Sequence, residues 1–595
     1  MKINDKINQA LREFSKGNKE NAYKELLKIF KKDKNNNQLR FNIAVIQQDL
    51  NINTEARKNY EFLINNEKNI KAIFNLYLLN IKEDKFTDAL RLINQLIESG
   101  LIDSNIIKDK AFVLYKLKRY DEAEKLCLDK LKKNKNDISF LNILGLIYFT
   151  GKNYLKSEKI LKKANTIDKN NTSILNSLGR LYHERRDSKN AEKYFLEAYK
   201  LNKTSYEIIN NLAGFYREEG KYHKAAIYYK DALNINPNNP SILNNIAKTY
   251  FDLDDLELAE EYSHKALNIN KDDGNIQKIL SLIYLRNQNY KKAWNYFDGR
   301  LNLTDFVEKN SSIKKLRSKL FLNKKLKTKS KILILREQGI GDEILYGTMY
   351  SDLLQKCENV TIECDRRLKS IFQNSFPENK FSFVNFGDVS ENNKILKKYD
   401  YVIYAGSLGK YFRNNLQNFN SSNLLLPEKK YVLEAKKELE KLSGKYNIGL
   451  SWRSFKNRYS GEKSIKLDDL KNILNTKNCN FINLQYGDVN KEIKNFNIKS
   501  KNKLQTINHL DLFNDFNKIA GVLKNLDLFI SVSNSTAHLA GSLGVKTILV
   551  KPTNHALFHY WNQSGENTPW YKSIIMIEKN KIFDDENFIK KYLNF

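Results

Sequence analysis

The sequence predicts a multidomain protein in which an all-helical repeat array precedes an α/β region. In the first half, a phrase of apolar, small and aromatic residues recurs every 34 residues. From residue 331 onward, short apolar runs alternate with helical stretches, which is the pattern of strand–helix–strand units and parallel sheets. The length of 595 residues also requires more than one hydrophobic core, because single cores stop growing near roughly 250–300 residues.

The repeat has a large apolar residue, a small residue and a tyrosine at fixed positions. The matching positions are Leu144-Gly145 with Tyr148, Leu178-Gly179 with Tyr182, Leu212-Ala213 with Tyr216, and Ile246-Ala247 with Tyr250. Small residues allow two helices to approach closely, so the spacing indicates stacked helix pairs. Residues 138–271 resemble the tetratricopeptide repeat, and weaker units extend the array to about nine between residues 3 and 300. The resemblance implies an α-solenoid whose concave surface binds a protein partner.

The formal charge of +32 does not by itself predict a nucleic-acid partner. Lysines are scattered over the whole chain, and basic motifs interleaved with aromatic residues are absent from the sequence. The densest basic run lies within 301–330, where a solvated linker between the repeats and the α/β region is expected. We therefore expect no nucleic-acid binding.

The sequence predicts neither a metal site nor a membrane segment. Its four cysteines are far apart and form no C-x-x-C pair, so neither a zinc site nor a disulfide framework is indicated. No stretch of about 18 apolar residues occurs, and the N-terminus lacks the apolar core of a signal peptide. We therefore expect no membrane span and a cytoplasmic location.

The α/β region contains two series of predicted strands separated by a charged helix at about 428–442. The first series is 332–335, 360–364, 381–384 and 401–404, and the second is 448–450, 481–484, 528–532, 547–550 and 574–577. Two series predict two Rossmann-like lobes, at 331–440 and 441–595. A ligand is expected in the cleft between them, at the carboxyl ends of the strands.

The first predicted strand ends in a turn at 338–342, here called the glycine turn. Gly339 and Gly341 allow the backbone to turn sharply and to approach a ligand. Asp342 follows at the start of the next helix, where aspartate is a preferred capping residue. The turn alone therefore leaves two interpretations of Asp342 open, a helix cap or a group that acts on a ligand.

The strand at 528–532 is followed by a second loop of small polar residues, here called the hydroxyl loop (533–536). Ser533, Ser535 and Thr536 carry hydroxyl groups next to a predicted helix start, whose free amides favour a diphosphate. His538 lies one turn inside this helix. A lone histidine is usually a core residue bonded to a neighbour, but this position also suits contact with a ligand.

The strand at 448–450 leads into a third segment, here called the cation loop (451–463). Its motif SWRS is followed by Lys456, Arg458 and Lys463. With Arg453, these cations could neutralise phosphates, or they could form an ordinary solvated loop. The expected anion at the hydroxyl loop favours the first interpretation.

Residues from about 331 to 580 resemble the heptosyltransferase-like branch of glycosyltransferases, glycosyltransferase family nine, which has the GT-B fold. The resemblance rests on EQGIGDEI, GLSWRS with a later EKSI, FINLQYGD, LDLFISVSNSTAHLAGSLG and HYWNQSGENTPWY. It is strongest to the bacterial variety in which this domain follows tetratricopeptide repeats. The chain departs from the family where Asp-Thr-Gly is common, because it has Ser533-Asn534-Ser535 there.

The resemblance implies an inverting, metal-independent transfer of a sugar from a nucleotide-sugar to a hydroxyl of a protein or glycan, without a cofactor. In the family the acid of the glycine turn is the base, and this role falls on Asp342. The residues expected to bind the donor and its phosphates are Gly339, Gly341, Arg453, Lys463, Ser533, Asn534, Ser535, Thr536 and His538, and Gln485 and Tyr486 are expected on its base or sugar side. The alternative is a protein-interaction scaffold with an inactive α/β domain, since Ser533 replaces a carboxylate.

Overall fold

The computed structural model describes residues 3–303, 306, 330–354, 356–357, 359–388, 396–419, 424–455, 460–552, 560–561, 565–583 and 588–593. Most of the predicted basic linker at 301–330, and Lys456 and Arg458 of the cation loop, lie outside these residues. The chain divides into two compact units, Met1–Asn236 and Pro237–Phe595. No helix among the described residues is long and apolar enough to cross a membrane.

The first unit consists of seven helix pairs. Their bounds are α1 Ile3–Ser15, α2 Lys19–Lys32, α3 Asn37–Asp49, α4 Asn53–Glu67, α5 Ile70–Lys82, α6 Phe86–Glu98, α7 Ser104–Lys116, α8 Tyr120–Lys133, α9 Ile138–Thr150, α10 Tyr154–Ile167, α11 Thr172–Glu184, α12 Ser188–Leu201, α13 Tyr206–Glu218 and α14 Tyr222–Ile235. Two further pairs begin the second unit, with bounds α15 Pro240–Asp252, α16 Leu256–Ile269, α17 Gly274–Arg286 and α18 Tyr290–Phe297. The described residues thus contain nine helix pairs up to Phe297.

One repeat, formed by α11 and α12, shows how its helix is capped, how the chain turns and how the two helices pack. Asn171 caps α11, because its side chain accepts a hydrogen bond from the backbone N–H of Ile174. The turn between α11 and α12 places Arg186 at a φ of 59°. Inside the pair, a Cβ added at Gly179 would lie 2.6 Å from the ring of Phe195. The small residue of the repeat phrase is therefore required by the packing of the pair.

The rest of the second unit contains two sheets, as the two series of predicted strands indicate. Sheet 1 has the order β3-β2-β1-β4, and all its pairings are parallel. Its strands are β1 Lys331–Leu335, β2 Asn359–Cys364, β3 Phe381–Asn385 and β4 Tyr401–Tyr404. All four predicted strands of the first series are confirmed.

Sheet 2 has the order β10-β11-β9-β8-β5-β6-β7, and its pairings are parallel except that β10 runs antiparallel to β11. Its strands are β5 Tyr446–Ser451, β6 Cys479–Asn483, β7 Leu504–Gln505, β8 Leu528–Ser531, β9 Thr547–Val550, β10 Asn567–Thr568 and β11 Tyr571–Ile577. The five predicted strands of the second series are confirmed, and the two-residue strands β7 and β10 were not predicted. Two residues carry too little periodicity to be recognised.

Helices connect the strands of both sheets. Their bounds are α19 Ile340–Gly347, α20 Tyr350–Leu354, α21 Arg366–Ser375, α22 Gly409–Phe412, α23 Lys429–Leu439, α24 Ser460–Lys463, α25 Lys471–Leu474, α26 Asn490–Lys499, α27 Phe516–Leu523, α28 Ser535–Leu543 and α29 Lys579–Phe583. The charged helix predicted at about 428–442 corresponds to α23. The cysteines Cys127, Cys357 and Cys364 are buried, and all four cysteines are free thiols.

Strand order places the three predicted loops at two switch points, one in each sheet, where the order in which strands are added reverses. In sheet 1 the chain goes outward from β1 to β3 and then returns to place β4 on the other side of β1. In sheet 2 it goes outward from β5 to β7 and returns to place β8 beside β5. Such switch points leave a crevice at the carboxyl ends of the strands. The glycine turn follows β1, the cation loop follows β5, and the hydroxyl loop follows β8.

Candidate functional site

The glycine turn has the geometry of a strained loop that leads into a capped helix. Gln338 is exposed and has a φ of 63°, and Gly339 precedes the first residue of α19 in an extended conformation. The Oδ2 atom of Asp342 accepts a hydrogen bond from the backbone N–H of Gly339 at 3.0 Å. Asp342 thus makes the capping contact, while its side chain stays partly exposed at the switch point of sheet 1.

The negative charge of Asp342 acts on three buried phenol groups. Burial raises the pKa of Tyr346, Tyr560 and Tyr571, and the negative charge of Asp342 contributes to each shift. Tyr560 and Tyr571 belong to the second half of the α/β region, whereas Tyr346 lies on α19. The charge of the glycine turn therefore influences side chains from both halves of the α/β region.

The hydroxyl loop is held together by Asn534, which caps α28. Its Oδ1 atom accepts a hydrogen bond from the N–H of Ala537 at 3.0 Å, and its Nδ2 atom donates to the Oγ atom of Ser451 at 2.8 Å. The second contact joins the hydroxyl loop to the start of the cation loop. Ser533 and Thr536 are buried, whereas Ser535 is partly exposed.

Trp561 binds the first hydroxyl of this loop. Its indole Nε1 atom donates a hydrogen bond to the Oγ atom of Ser533 at 2.9 Å. The acceptor of this bond is a neutral hydroxyl.

His538 is enclosed by aromatic rings and lies against the glycine turn. Its side chain is 3% exposed, its Nδ1 atom lies 3.1 Å from the hydroxyl of Tyr571, and its ring stacks on Trp561 with a centroid distance of 4.9 Å. A Cβ added at Gly341 would lie 2.9 Å from the Cδ2 atom of His538. The glycine turn and α28 are therefore in direct contact, and this contact requires glycine at position 341.

The cation loop is fixed by the buried carboxamide of Gln485. The Oε1 atom of Gln485 accepts hydrogen bonds from the backbone N–H groups of Trp452 and Arg453, at 2.8 and 2.6 Å, and from the Oγ atom of Ser451 at 3.2 Å. The Nε2 atom of Gln485 donates to the backbone carbonyl of Tyr486 at 2.8 Å. The structure thus places Gln485 beneath the loop, where it supports the backbone.

The two described cations of this loop occupy different environments. The guanidinium of Arg453 lies 3.0 Å from the carboxylate of Glu492 and is partly exposed. Lys463 ends the short helix α24 and is buried. The residues that follow it return to the strand end, because the N–H of Ile465 donates to the carbonyl of Trp452 at 2.9 Å. Lys463 is therefore held next to the carboxyl end of β5.

Tyr486 belongs to an aromatic cluster that the sequence did not reveal. Its ring centroid lies 5.5 Å from that of Phe455 and 6.4 Å from that of Phe513. Phe455 is 44% exposed and Phe513 is 56% exposed, so the cluster presents apolar rings to solvent. The three residues follow different strands, which is why one-dimensional spacing gives no signal for the cluster.

The described structure brings together three segments that carry site residues expected from the sequence. They are the glycine turn, the hydroxyl loop and the cation loop. The connecting contacts are those of Gly341 with His538 and of Asn534 with Ser451. Gln485 joins the cation loop from below. Among the described residues, no group of three or more histidine, cysteine, aspartate or glutamate side chains could hold a metal ion.

Comparisons with known proteins assign the repeats. The family described as tetratricopeptide repeat matches residues 138–171, 172–205 and 240–273, and a family described as TPR repeat matches residues 215–254. The chain thus contains tetratricopeptide repeats, which indicate a protein-interaction role.

Among curated proteins, the chain is similar to Protein FlbA of Caulobacter vibrioides (strain ATCC 19089 / CIP 103742 / CB 15). The two are 27% identical over 257 residues, which is 41% of this chain and 42% of that protein. The match thus spans less than half the length of either protein.

Three solved structures illustrate what the chain is similar to. Pseudomonas aeruginosa pilF has 16% identity, a TM-score of 0.30, and coverage of 35% of this chain and 96% of that chain. YrrB, described as a TPR protein with an unusual peptide-binding site, has 20% identity, a TM-score of 0.24, and coverage of 31% and 95%. TTC0263 of Thermus thermophilus, a thermophilic TPR protein, has 18% identity, a TM-score of 0.29, and coverage of 31% and 100%.

Proposed function

We propose that the α/β region is an inverting glycosyltransferase of the GT-B type that transfers a sugar from a nucleotide-sugar to a hydroxyl acceptor. The observation that supports this most is the contact between the glycine turn and α28, seen where Gly341 meets His538. This contact joins a partly exposed carboxylate to the N-terminus of a helix that follows a hydroxyl-rich loop. A base and a diphosphate site are the two parts that such a transfer needs.

In the proposed reaction, Asp342 takes the proton of the acceptor hydroxyl as its oxygen attacks the anomeric carbon. The bond between that carbon and the donor phosphate breaks on the opposite face, so the configuration inverts. Proton removal by a positioned carboxylate contributes on the order of 10²–10⁴-fold to the rate. The partly exposed side chain of Asp342 is accessible to such an acceptor.

The leaving nucleoside diphosphate gains negative charge as the bond breaks. The amides at the start of α28 and the cations of Lys463 and Arg453 would stabilise this charge, because their positions are fixed before the reaction. With these groups in place, the proposed transfer needs no metal ion.

A protein-interaction scaffold with an inactive α/β domain is the second candidate. It is favoured by Ser533, which has no charge and whose hydroxyl accepts the indole bond of Trp561. In both candidates the tetratricopeptide repeats bind a protein, which in the first candidate is the acceptor or a protein that recruits the acceptor. A glycan is the other acceptor class.

A donor screen followed by one substitution tests the proposal. The melting temperature of the full chain is measured with UDP-, GDP- and ADP-sugars, and one of them is expected to stabilise it selectively. With that donor, Asp342→Asn should lower nucleoside diphosphate release by at least about 100-fold, with donor binding retained.

The matched control is Asp515→Asn, because Asp515 also caps a helix through its carboxylate, at the start of α27. This variant should keep the rate of the wild type. If none of the nucleotide-sugars stabilises the chain, the scaffold is supported instead. If Asp342→Asn keeps full turnover, Asp342 is only a helix cap.

A further inference from the structure

A buried ion pair joins the end of the repeats to the strand that carries the glycine turn. Arg300 lies in the 3-10 helix Asp298–Asn302, directly after α18, and is 5% exposed. Its Nε and Nη2 atoms donate to the two carboxylate oxygens of Glu337 at 2.8 and 2.7 Å. Glu337 lies between the end of β1 and Gln338, and its side chain is fully buried. The last repeat therefore reaches the backbone that leads into the turn.

Glu337 also ties two neighbouring strand ends together. Its Oε1 atom accepts a hydrogen bond from the backbone N–H of Gly406, which follows β4. A Cβ added at Gly406 would lie 2.6 Å from the same oxygen. Arg300 completes the network, because its Nη2 atom donates to the Oγ atom of Ser407 at 2.9 Å. One carboxylate thus connects β1, β4 and the 3-10 helix.

A second contact fixes α18 to the same region. The indole Nε1 atom of Trp294 donates to the backbone carbonyl of Arg413 at 2.8 Å, and Trp294 is almost fully buried. A Cβ added at Gly409, the first residue of α22, would lie 2.5 Å from the indole ring. The last helix pair is therefore packed tightly against the segment that follows β4 of sheet 1.

Removal of either Arg300 or Glu337 would leave the charge of the other residue buried without its partner. Burial by itself would lower the pKa of Arg300, but the neighbouring carboxylates of Glu337 and Asp298 raise it above its usual range. A buried carboxylate that loses its cation must bind a proton or admit water. Either change disturbs Glu337, and with it the backbone on both sides of the end of β1.

We propose that Arg300 is a positioning residue, through which the last repeat holds the glycine turn and Asp342 in place. The last helix pairs and the two sheets then form a single functional unit. The expected effect of Arg300 on kcat rests on the glycosyltransferase function proposed above. Its expected effect on the structure of the glycine turn does not.

Hydrogen exchange on the full chain tests the positioning directly. Arg300→Met should accelerate amide exchange at residues 336–345 by at least about tenfold, with no change in strand β8 of sheet 2. The control is Arg286→Met, which removes another mostly buried arginine, paired with Asp254 at 3.1 Å within the repeats. It should leave residues 336–345 unchanged. Equal exchange there in the wild type and Arg300→Met, or an equal effect of Arg286→Met, would overturn the proposal.

Rescue and kinetics separate positioning from loss of folding. Arg300→Lys keeps the charge but not the two parallel hydrogen bonds, so it should restore slow exchange only in part. If Arg300→Met does not fold, Glu337→Gln provides the same readout, because it removes the charge and keeps the shape.

If a donor is found, Arg300→Met should lower kcat more strongly than it raises the donor KM, because Asp342 belongs to the glycine turn, whereas the groups proposed to bind the diphosphate follow strands of sheet 2. A rise in KM at an unchanged kcat would contradict positioning of the base. Faster exchange in a protein that binds no donor would refute the transferase and leave the positioning intact.

Discussion

Gln485→Leu is expected to destabilise the second unit by removing the acceptor beneath the cation loop. The Oε1 atom of Gln485 accepts the backbone N–H groups of Trp452 and Arg453. Leucine has a similar volume but accepts no hydrogen bond. Both N–H groups would then lose their partner at a position where the glutamine side chain is 1% exposed.

The size of the effect follows from these two groups. A buried donor without a partner costs about 1–3 kcal/mol, so two of them cost about 2–6 kcal/mol. The apolar leucine side chain regains a part of this by its own burial, which places the expected loss in the lower half of that range. The hydrogen bond from Gln485 to the carbonyl of Tyr486 is lost as well.

Urea unfolding of the full chain, followed by tryptophan fluorescence, measures this loss. All four tryptophans, Trp294, Trp452, Trp561 and Trp570, belong to residues 237–595, so the signal reports on the second unit. The control is Gln505→Leu, at an exposed position of the edge strand β7, which should leave the midpoint almost unchanged. An equal midpoint for Gln485→Leu and the wild type would refute the supporting role of Gln485.

Two further predictions concern the repeats and the pH dependence of stability. Gly179→Ala places a Cβ 2.6 Å from the buried ring of Phe195 and should destabilise its repeat by about 1–3 kcal/mol, seen as faster amide exchange in α11 and α12. Gly214→Ala, whose Cβ meets only an ordinary contact at 3.5 Å, should stabilise its helix or have no effect; equal losses would contradict this packing argument. Burial raises the pKa of Glu343 from 4.5 to about 7, although Arg336 opposes the shift. A carboxyl group with a raised folded-state pKa stabilises the fold below its unfolded value, so its contribution of about 3 kcal/mol is lost as the pH rises from 4.5 to 7. Glu343→Gln should lack this loss, and a wild-type urea midpoint that follows that of the variant at every pH would contradict it.

Much of the fold was predictable because its signals are local. The repeat phrase returns every 34 residues, and the small residue at Gly179 and its equivalents marks each close helix contact. The predicted strands were recognisable as short apolar runs next to turn residues. The strands β7 and β10 were missed because each has only two residues.

The candidate site was predictable in its loops but not in its internal contacts. The glycine turn, the hydroxyl loop and the cation loop were identified as segments that follow buried strands. The sequence left two roles open for Asp342, and the structure shows the capping contact with Gly339 in a side chain that is still partly exposed. Gln485 was expected on the base or sugar side of the donor, which stays a prediction, and the structure shows that its carboxamide supports the backbone of the cation loop. No local pattern distinguishes these two uses of a glutamine.

The sequence by itself determined the repeat array, the two series of strands and the loops at their ends, because each follows from the periodicity of neighbouring residues. Only the tertiary structure decided which distant groups meet. It packed His538 against Gly341, joined Asn534 to Ser451 and paired Arg300 with Glu337. These contacts depend on strand order and on the burial of individual charges. Neither is encoded in the spacing of residues along one chain.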